Sequence, residues 1–193
     1  MAWLEKTYHL KSSVEMMHHN GQLIDRLNPY AKALAKISAK KKKTDADYEE
    51  MAHIEFLGSL YIGADGEPIV PQHMLSAMLV VAAKKFKEGN QAKSGMYVKD
   101  HAKLIYDGPK VPEEMYQEKS KRFVDRRNVR VGQASIMRTR AIFAEWEIDV
   151  TVVYEDTIVD VSRIDEWFIT AGHIVGLAEI RPQYGRFEVF VAN

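Results

Sequence analysis

Strict alternation of apolar and polar residues marks the segment AEWEIDVTVVYED (144–156) as a β-strand. Every even position from 146 to 154 is apolar, whereas positions 145, 147, 149 and 151 carry acids or threonine. Because successive side chains of a strand point to opposite faces, the pattern predicts a half-buried strand with an acidic solvent face. Weaker alternation over residues 7–17 predicts an early strand, and residues 185–193 predict a final one.

Two helices are predicted in the first quarter of the chain from their start signals. Asn28 can cap a helix that has Pro29 at its first position. Thr44 and Asp47 have the spacing of a capping box for the next helix. The lysine run 40–43 lies between the two helices, where cations suit the carboxyl end of the first.

Two further helices follow apolar strands. The stretch GEPIVPQHMLSAML places a short strand between Pro68 and Pro71 and starts a helix directly after it. A later helix is predicted from a cap at Ser162 to a stop at Gly176. The apolar stripes of these helices comprise Leu75, Met78, Leu79, Ala82 and Phe86 in the first, and Ile164, Trp167, Phe168 and Ala171 in the second.

The connections between these elements complete the predicted architecture. A hairpin turn is predicted at Asp65-Gly66, a loop at residues 89–95, and short strands at 96–98 and 104–106. Strands and helices in this order predict an α+β fold, a ferredoxin-like (RRM-like) antiparallel sheet core with a helical insertion. We expect one domain over residues 1–193, with residues 29–87 as a helical and hairpin insertion.

Composition limits the classes of function. Lys+Arg and Asp+Glu both number 27, so bulk charge gives no sign of a nucleic-acid partner, although a basic face can still exist. The chain has no cysteine, which excludes disulfides and thiolate metal sites. Its start does not resemble a signal peptide, and its longest apolar run is far shorter than the roughly 20 residues of a membrane helix. A cytoplasmic protein without membrane contact is expected.

Basic residues dominate between residues 119 and 140, where Asp125 is the only acid. Residues 126–130 are interpreted as an irregular connection around Asn128. A row of guanidinium groups can follow a phosphodiester backbone, because each group binds phosphate oxygens in a fork. The alternative is a solvated strand whose Arg138–Arg140 segment pairs across a hairpin with the acids of 145–149. The candidate phosphate contacts are Lys121, Arg122, Arg126, Arg127, Arg130, Arg138 and Arg140.

Two other segments supply candidate contacts. The loop GLAEIRPQYGRFEV (176–189) combines guanidinium groups with a stacking ring around Gly185. Its alternative role is a tight turn in which Gly185 only permits close backbone approach. The lysine run could form an outer patch, and His18-His19 could stack on bases. The further candidates are Arg181, Tyr184 and Arg186 in the loop, and Lys41, Lys42 and Lys43 in the lysine run.

The sequence contains no phosphate-binding loop, hydrolase elbow, zinc-protease or calcium-loop motif. Adjacent histidines on a strand point apart, so a metal shared by His18 and His19 is not expected. We therefore predict no catalytic residue, metal or cofactor, and no enzyme activity. A divalent-metal nuclease is kept as a third hypothesis, which periodic cutting of RNA would reveal.

GEPIVPQHMLSAML and GLAEIRPQYGRFEV together resemble the RAMP superfamily, whose Cas-seven-type members form the backbone of RNA-guided CRISPR effector complexes. The first matches a P-[IV]-[IV]-P strand before a helix, and the second a glycine-rich loop near the carboxyl end. The chain differs in having Gln72-His73 where Gly-Ser is usual, and Ala178-Glu179 where glycine is usual. GSLYIGADGEPIVP, AKSGMYV, LIYDGPK and VRVGQASIMRTRAIFAEWEIDV resemble short stand-alone members from bacteriophage and prophage genomes.

The resemblance implies an RRM-like core that binds single-stranded RNA along a basic groove, with subunits stacked head to tail, and possible contact with other effector subunits. No Asp of this chain can be matched to the cutting Asp of some members. The first hypothesis is thus a protein of the bacterial cytoplasm that binds single-stranded RNA, in preference to DNA, and oligomerises along it. The alternative is a phage protein–protein module, either an assembly component or an inhibitor that mimics an effector, without nucleic-acid binding.

Overall fold

The computed structural model describes residues 2–191, which form an α+β fold with antiparallel sheets and six α-helices. Within this range no helix has the length and apolar character that a membrane crossing requires. The strands are β1 (Trp3–Ser12), β2 (Met16–Met17), β3 (Ile69–Val70), β4 (Met96–Val98), β5 (Ala102–Lys103), β6 (Val124–Val131), β7 (Ala134–Phe143), β8 (Glu147–Glu155) and β9 (Phe187–Val191). The helices are α1 (Pro29–Ser38), α2 (Asp45–Ser59), α3 (Gln72–Lys84), α4 (Gly89–Gly95), α5 (Pro112–Gln117) and α6 (Val161–Thr170).

The largest sheet has the strand order β4-β8-β1-β9, and every neighbouring pair is antiparallel. The alternation predicted for β8 is confirmed, because Ile148, Val150 and Val152 are buried while Asp149 is exposed. The buried face packs against α3 and α6, which also contact each other. Burial of these apolar residues is the main favourable contribution to this part of the fold.

A second sheet has the order β2-β7-β6, and α2 lies along β7 with α1 packed on α2. The predicted start signals of both helices are confirmed: Asn28 caps α1 before Pro29, and Thr44 and Asp47 form a capping box. Thus α3 lies in the helix layer of the large sheet, whereas α1 and α2 lie against the second sheet. The insertion assigned to residues 29–87 stays an interpretation.

Several local predictions are wrong for identifiable reasons. Residues 89–95 form α4 instead of a loop, because Ala92 is buried and Gly95 fits where a Cβ would lie 2.6 Å from Val159. Phe86 is 39% exposed, since α3 ends before it. Asp160, not Ser162, caps α6 through its carboxylate.

Two predicted strands also have different limits. Residues 7–17 are divided between β1, which starts earlier at Trp3, and β2, with an irregular segment between them. The strand predicted at 104–106 is observed as β5 at Ala102–Lys103, because the pairing partner is the short β3. The Asp65-Gly66 turn is present, but only an isolated bridge between Ile62 and Pro68 flanks it.

Candidate nucleic-acid interface

The β6–β7 hairpin arranges the basic segment on two faces. Arg127 lies opposite Arg138, and Asp125 lies opposite Arg140. Because directly opposed residues of an antiparallel pair share a face, these three arginines lie on one face, which we call the arginine face. Arg126 lies on the other face. The predicted irregular connection is therefore wrong: residues 126–130 are part of the regular strand β6.

The alternative pairing with the acids of 145–149 is also wrong. β7 pairs with β6 and β2, whereas the acidic residues belong to β8 in the large sheet. The arginines pair instead with Asp125 in β6 itself and with Glu49 and Glu55 of α2. Local alternation could not distinguish between the two arrangements, because both place a basic strand beside acidic side chains.

Arg127 is held between a carboxylate and an aromatic ring. Its Nε donates to both oxygens of Asp125 at 2.8 Å, and its Cζ lies 5.1 Å from the Tyr184 ring centroid. The Asp125 carboxylate raises the pKa of the Arg127 guanidinium, which therefore stays charged. This contact connects the carboxyl-terminal loop to the arginine face and brings a stacking ring to it.

Arg138 is paired with a carboxylate of α2. Its Nη1 lies 2.5 Å from Glu55 Oε1, and the other Glu55 oxygen accepts a hydrogen bond from the Thr139 backbone N–H at 2.9 Å. Glu55 is buried, whereas 40% of the Arg138 side chain is exposed. Glu55 therefore fixes the edge of β7 while part of the guanidinium still reaches solvent.

Arg140 has a different environment. It is 8% exposed, and the only described hydrogen bond of its side chain is from Nη1 to the Met17 Sδ at 3.7 Å. Within residues 2–191 its buried Nε has no hydrogen-bond partner. The side chain lines a cavity of about 260 Å³, which we call the Arg140 cavity. The other lining residues are His19, Asn20, Leu23, Ile24, Leu34, Glu55, Ser59, Val129, Arg138 and Thr139.

The two adjacent histidines point apart. His18 is 1% exposed and packs against the rings of Tyr61 and Phe143, and burial lowers its pKa to about 3. It is therefore neutral, and because its ring is enclosed by the protein it cannot stack on a base, contrary to the sequence-based suggestion. His19 lines the Arg140 cavity, and its pKa is lowered by burial and then by the charge of Arg140.

The carboxyl-terminal loop lies next to the arginine face. Arg181 lines a second cavity, of about 220 Å³, together with His19, which lines both cavities. Arg186 is exposed and its Nε donates to the Pro182 carbonyl at 2.8 Å. Gly185 is packed against the backbone of Leu177, which supports its role as a tight turn. Tyr184 still contacts Arg127, so it remains a candidate contact.

The remaining candidates lie apart from this cluster. Arg126 pairs with Glu49 of α2 at 3.1 Å, and Arg130 is exposed further along the same face of the hairpin, opposite the arginine face. Arg122 pairs with Glu118 and Asp107, before β6 begins.

The candidate lysines are placed at two other positions. Lys121 donates to the Tyr116 carbonyl, and its Nζ lies 4.3 Å from that ring centroid. Lys43 donates to the Ser38 and Lys40 carbonyls at the end of α1, while Lys41 and Lys42 are exposed. Of the predicted contacts, the structure therefore brings together Arg127, Arg138, Arg140, Arg181 and Tyr184.

Sequence reasoning did not identify three residues that contact the arginines of this cluster: Glu55, Asp125 and Met17. Asp125 could have been found, because residues two apart on a strand share a face and Arg127 follows at that spacing. Glu55 is one of several acids on α2, and nothing local distinguishes it. Its role arises from contact with β7, about 84 positions later in the chain.

Within residues 2–191 no group of three or more His, Asp or Glu side chains is placed to hold a metal ion. Comparison with models of known protein families and with curated protein sequences finds no match.

Proposed function

We propose that this protein binds single-stranded nucleic acid, RNA in preference to DNA, along the arginine face. The observation that carries the proposal is the convergence of the partly exposed Arg127 and Arg138 on one side of the hairpin, with the Tyr184 ring beside Arg127. Guanidinium groups bind phosphate oxygens, and an aromatic ring accepts any base by stacking. Such a surface suits a ligand recognised by its backbone instead of its sequence.

The internal ion pairs are compatible with this role. About a third of the Arg127 side chain and 40% of the Arg138 side chain are exposed. Each guanidinium has five N–H donors, so a paired arginine can bind a carboxylate and a phosphate at once. Because Asp125 and Glu55 are nearly buried, we expect both ion pairs to persist, and a phosphate would bind the guanidinium donors that the carboxylates leave free. Asp125 and Glu55 offset part of the positive charge of the cluster, however, and we therefore expect a modest dependence of affinity on salt.

The order of strands and helices supports the proposal of a ferredoxin-like (RRM-like) fold. Taking β1, α3, β4, β8, α6 and β9 in chain order gives strand–helix–strand–strand–helix–strand, with sheet order β4-β8-β1-β9. This is the connectivity expected of a ferredoxin-like (RRM-like) unit. It agrees with the resemblance to RAMP-type backbone subunits, from which the expectation of RNA derives.

Self-association along the ligand is part of the proposal. Trp3 and Tyr97 are about half exposed, with ring centroids 5.7 Å apart, and Met137 in β7 is 53% exposed. Two different apolar patches on one chain can form a heterologous contact between copies, which generates rings or filaments. A zero net charge does not oppose such stacking.

Binding can be assigned to one side of the hairpin with two matched charge reversals. Arg181→Glu alters an exposed arginine beside the arginine face, and we expect it to weaken binding to labelled single-stranded RNA by about tenfold or more. The slope of log K against log salt should fall by about 0.7, the value for one lost phosphate contact. Fluorescence anisotropy across a salt series measures both quantities.

The control is Arg130→Glu, which reverses an exposed arginine on the face of the β6–β7 hairpin opposite the arginine face. We expect it to change affinity less than about threefold. Equal losses from both reversals would indicate nonspecific attraction, and no binding by the unmodified protein at low salt would overturn the proposal. A protein purified from cells should show a 260/280 nm absorbance ratio above that of protein alone.

The alternative, a protein–protein module without nucleic-acid binding, is favoured by one observation. Arg122, Arg126, Arg127 and Arg138 all form ion pairs with carboxylates of the same chain. If this alternative is correct, reversing the charge of Arg138, whose side chain is 40% exposed, abolishes oligomers whether or not nucleic acid is present. Light scattering distinguishes the two, because oligomers that persist after nucleic-acid binding is lost exclude the alternative.

A further inference from the structure

The Arg140 cavity has a buried polar floor and an exposed apolar rim. Arg140, Thr139 and Ser59 on the floor are 8%, 3% and 1% exposed, whereas Ile24 on the rim is 83% exposed. Leu23 and Leu34 extend the apolar wall beside Ile24. A large apolar side chain so exposed next to a buried guanidinium suggests a ligand with a charged end and a flat apolar end.

The environment of the Arg140 side chain indicates that the charged end of the ligand is an anion. A buried guanidinium is costly unless it is paired with an anion and its donors are satisfied. Within residues 2–191 the described partner of Arg140 is the weak acceptor Met17 Sδ, and its Nε has none. Asp125 lies opposite it in the hairpin but is occupied by Arg127. An anion from outside the chain would supply the missing counter-charge.

The other groups of the cavity favour an anion over a cation. Arg138 and Arg140 face one carboxylate, Glu55, and both oxygens of Glu55 are already hydrogen-bonded by Arg138 and Thr139. His19 stands at the wall as a neutral imidazole that can donate one N–H, and its pKa is lowered mainly by burial. The cavity therefore presents hydrogen-bond donors to a ligand, whereas the oxygens of its one carboxylate are already hydrogen-bonded within the protein.

We propose that the Arg140 cavity binds a nucleoside 5′-monophosphate, with the phosphate on Arg140 and the base against Leu23, Ile24 and Leu34. A terminal phosphate can reach a floor group that is 8% exposed, whereas an internal phosphodiester carries chain on both sides. The ligand is either a free nucleotide or the 5′ end of a bound strand. The second form rests on the function proposed above, and the first does not.

The test measures binding of AMP, adenosine and inorganic phosphate by titration calorimetry. We expect AMP to bind at least about tenfold more tightly than either adenosine or phosphate, because each lacks one of the two contacts. RNA of one sequence carrying a 5′-phosphate or a 5′-hydroxyl distinguishes the sources. If RNA with the 5′-phosphate binds about fivefold or more tightly, the natural ligand is the 5′ end of a strand. If the two RNAs bind equally and AMP binds in its own titration, the natural ligand is the free nucleotide.

Two variants locate the ligand. Arg140→Gln should reduce AMP affinity about tenfold or more, and Arg140→Lys should retain part of it. Because a change at buried Arg140 can prevent folding, Ile24→Ser serves as the second variant at an exposed position, with an expected loss of about threefold to tenfold. Leu27→Ser is its matched control, since Leu27 is 75% exposed nearby but does not line the cavity.

The outcomes separate this proposal from the previous one. AMP that does not bind, or that binds equally to the Ile24→Ser and Leu27→Ser variants, overturns the cavity assignment even if RNA binds. AMP that binds and is weakened by Ile24→Ser supports it, even if the protein binds no RNA and the function proposed above is wrong.

Discussion

We expect Gly185→Ala to lower the free energy of unfolding by about 3–5 kcal/mol, because a methyl group there meets both backbone strain and a steric clash. Gly185 has a φ of +71°, and an added Cβ would lie 1.9 Å from the Leu177 carbonyl oxygen. Gly185 also accepts from the Leu177 N–H at 2.9 Å and donates to the Glu15 carbonyl at 2.8 Å. An alanine would have to separate these backbones and break the hydrogen bonds that hold the loop to Leu177 and Glu15.

Two other glycines separate the causes of this effect. Gly66 has a φ of +83° with open space around it, so Gly66→Ala should cost about 1 kcal/mol from backbone strain alone. Gly21 has neither a positive φ nor a close neighbour, and Gly21→Ala should change stability by less than about 0.5 kcal/mol. Urea unfolding of the three variants measures the series. If Gly185→Ala costs no more than Gly66→Ala, the close contact with Leu177 is not rigid and the explanation is wrong.

The same geometry explains how the loop contributes to the site. The backbone of Gly185 is fixed between Leu177 and Glu15, so its neighbour Tyr184 is held against Arg127. The sequence offered two roles for Gly185, a ligand-binding loop or a tight turn. The structure supports the tight turn, and that turn positions the aromatic ring of the candidate interface.

Elements defined by local signals could be predicted from the sequence. The alternation in β8, the capping box of Thr44 and Asp47, and the short strand between Pro68 and Pro71 depend on residues a few positions apart. The α4 helix was not predicted, because its glycines have low helix propensity and are needed for contact with Lys84 and Val159. Contacts between residues far apart in the chain cannot be predicted from the spacing of neighbouring residues.

The candidate site was predictable only in its residue types. The excess of arginine in residues 119–140 was visible, but its division between two faces depends on the pairing of Arg127 with Arg138. The neutralising partner Glu55 comes from a helix far earlier in the chain. The sequence also could not show that Arg140 has no carboxylate partner among the described residues. Asp125 lies opposite Arg140, but its carboxylate is hydrogen-bonded to Arg127 instead.

Acid sensitivity should be dominated by His18. Its pKa is lowered from 6.5 to about 3 by burial, so between these values the unfolded chain binds a proton that the folded chain does not. The stability that depends on neutral His18 is therefore fully present above about pH 6.5 and is lost progressively as the pH falls towards 3. By this linkage the protein should be about 2 kcal/mol less stable at pH 5 than at pH 8.

His18→Phe should remove most of this difference, because phenylalanine does not titrate and can keep the contacts with Tyr61 and Phe143. A smaller difference should remain from His19, whose pKa is also lowered. Urea unfolding at pH 5 and pH 8 measures the effect, with His173→Gln at an exposed position as the control that retains it. A His18→Phe protein that loses as much stability at pH 5 as the unmodified chain would show that other groups cause the acid sensitivity, and that His18 is more accessible to solvent than its packing implies.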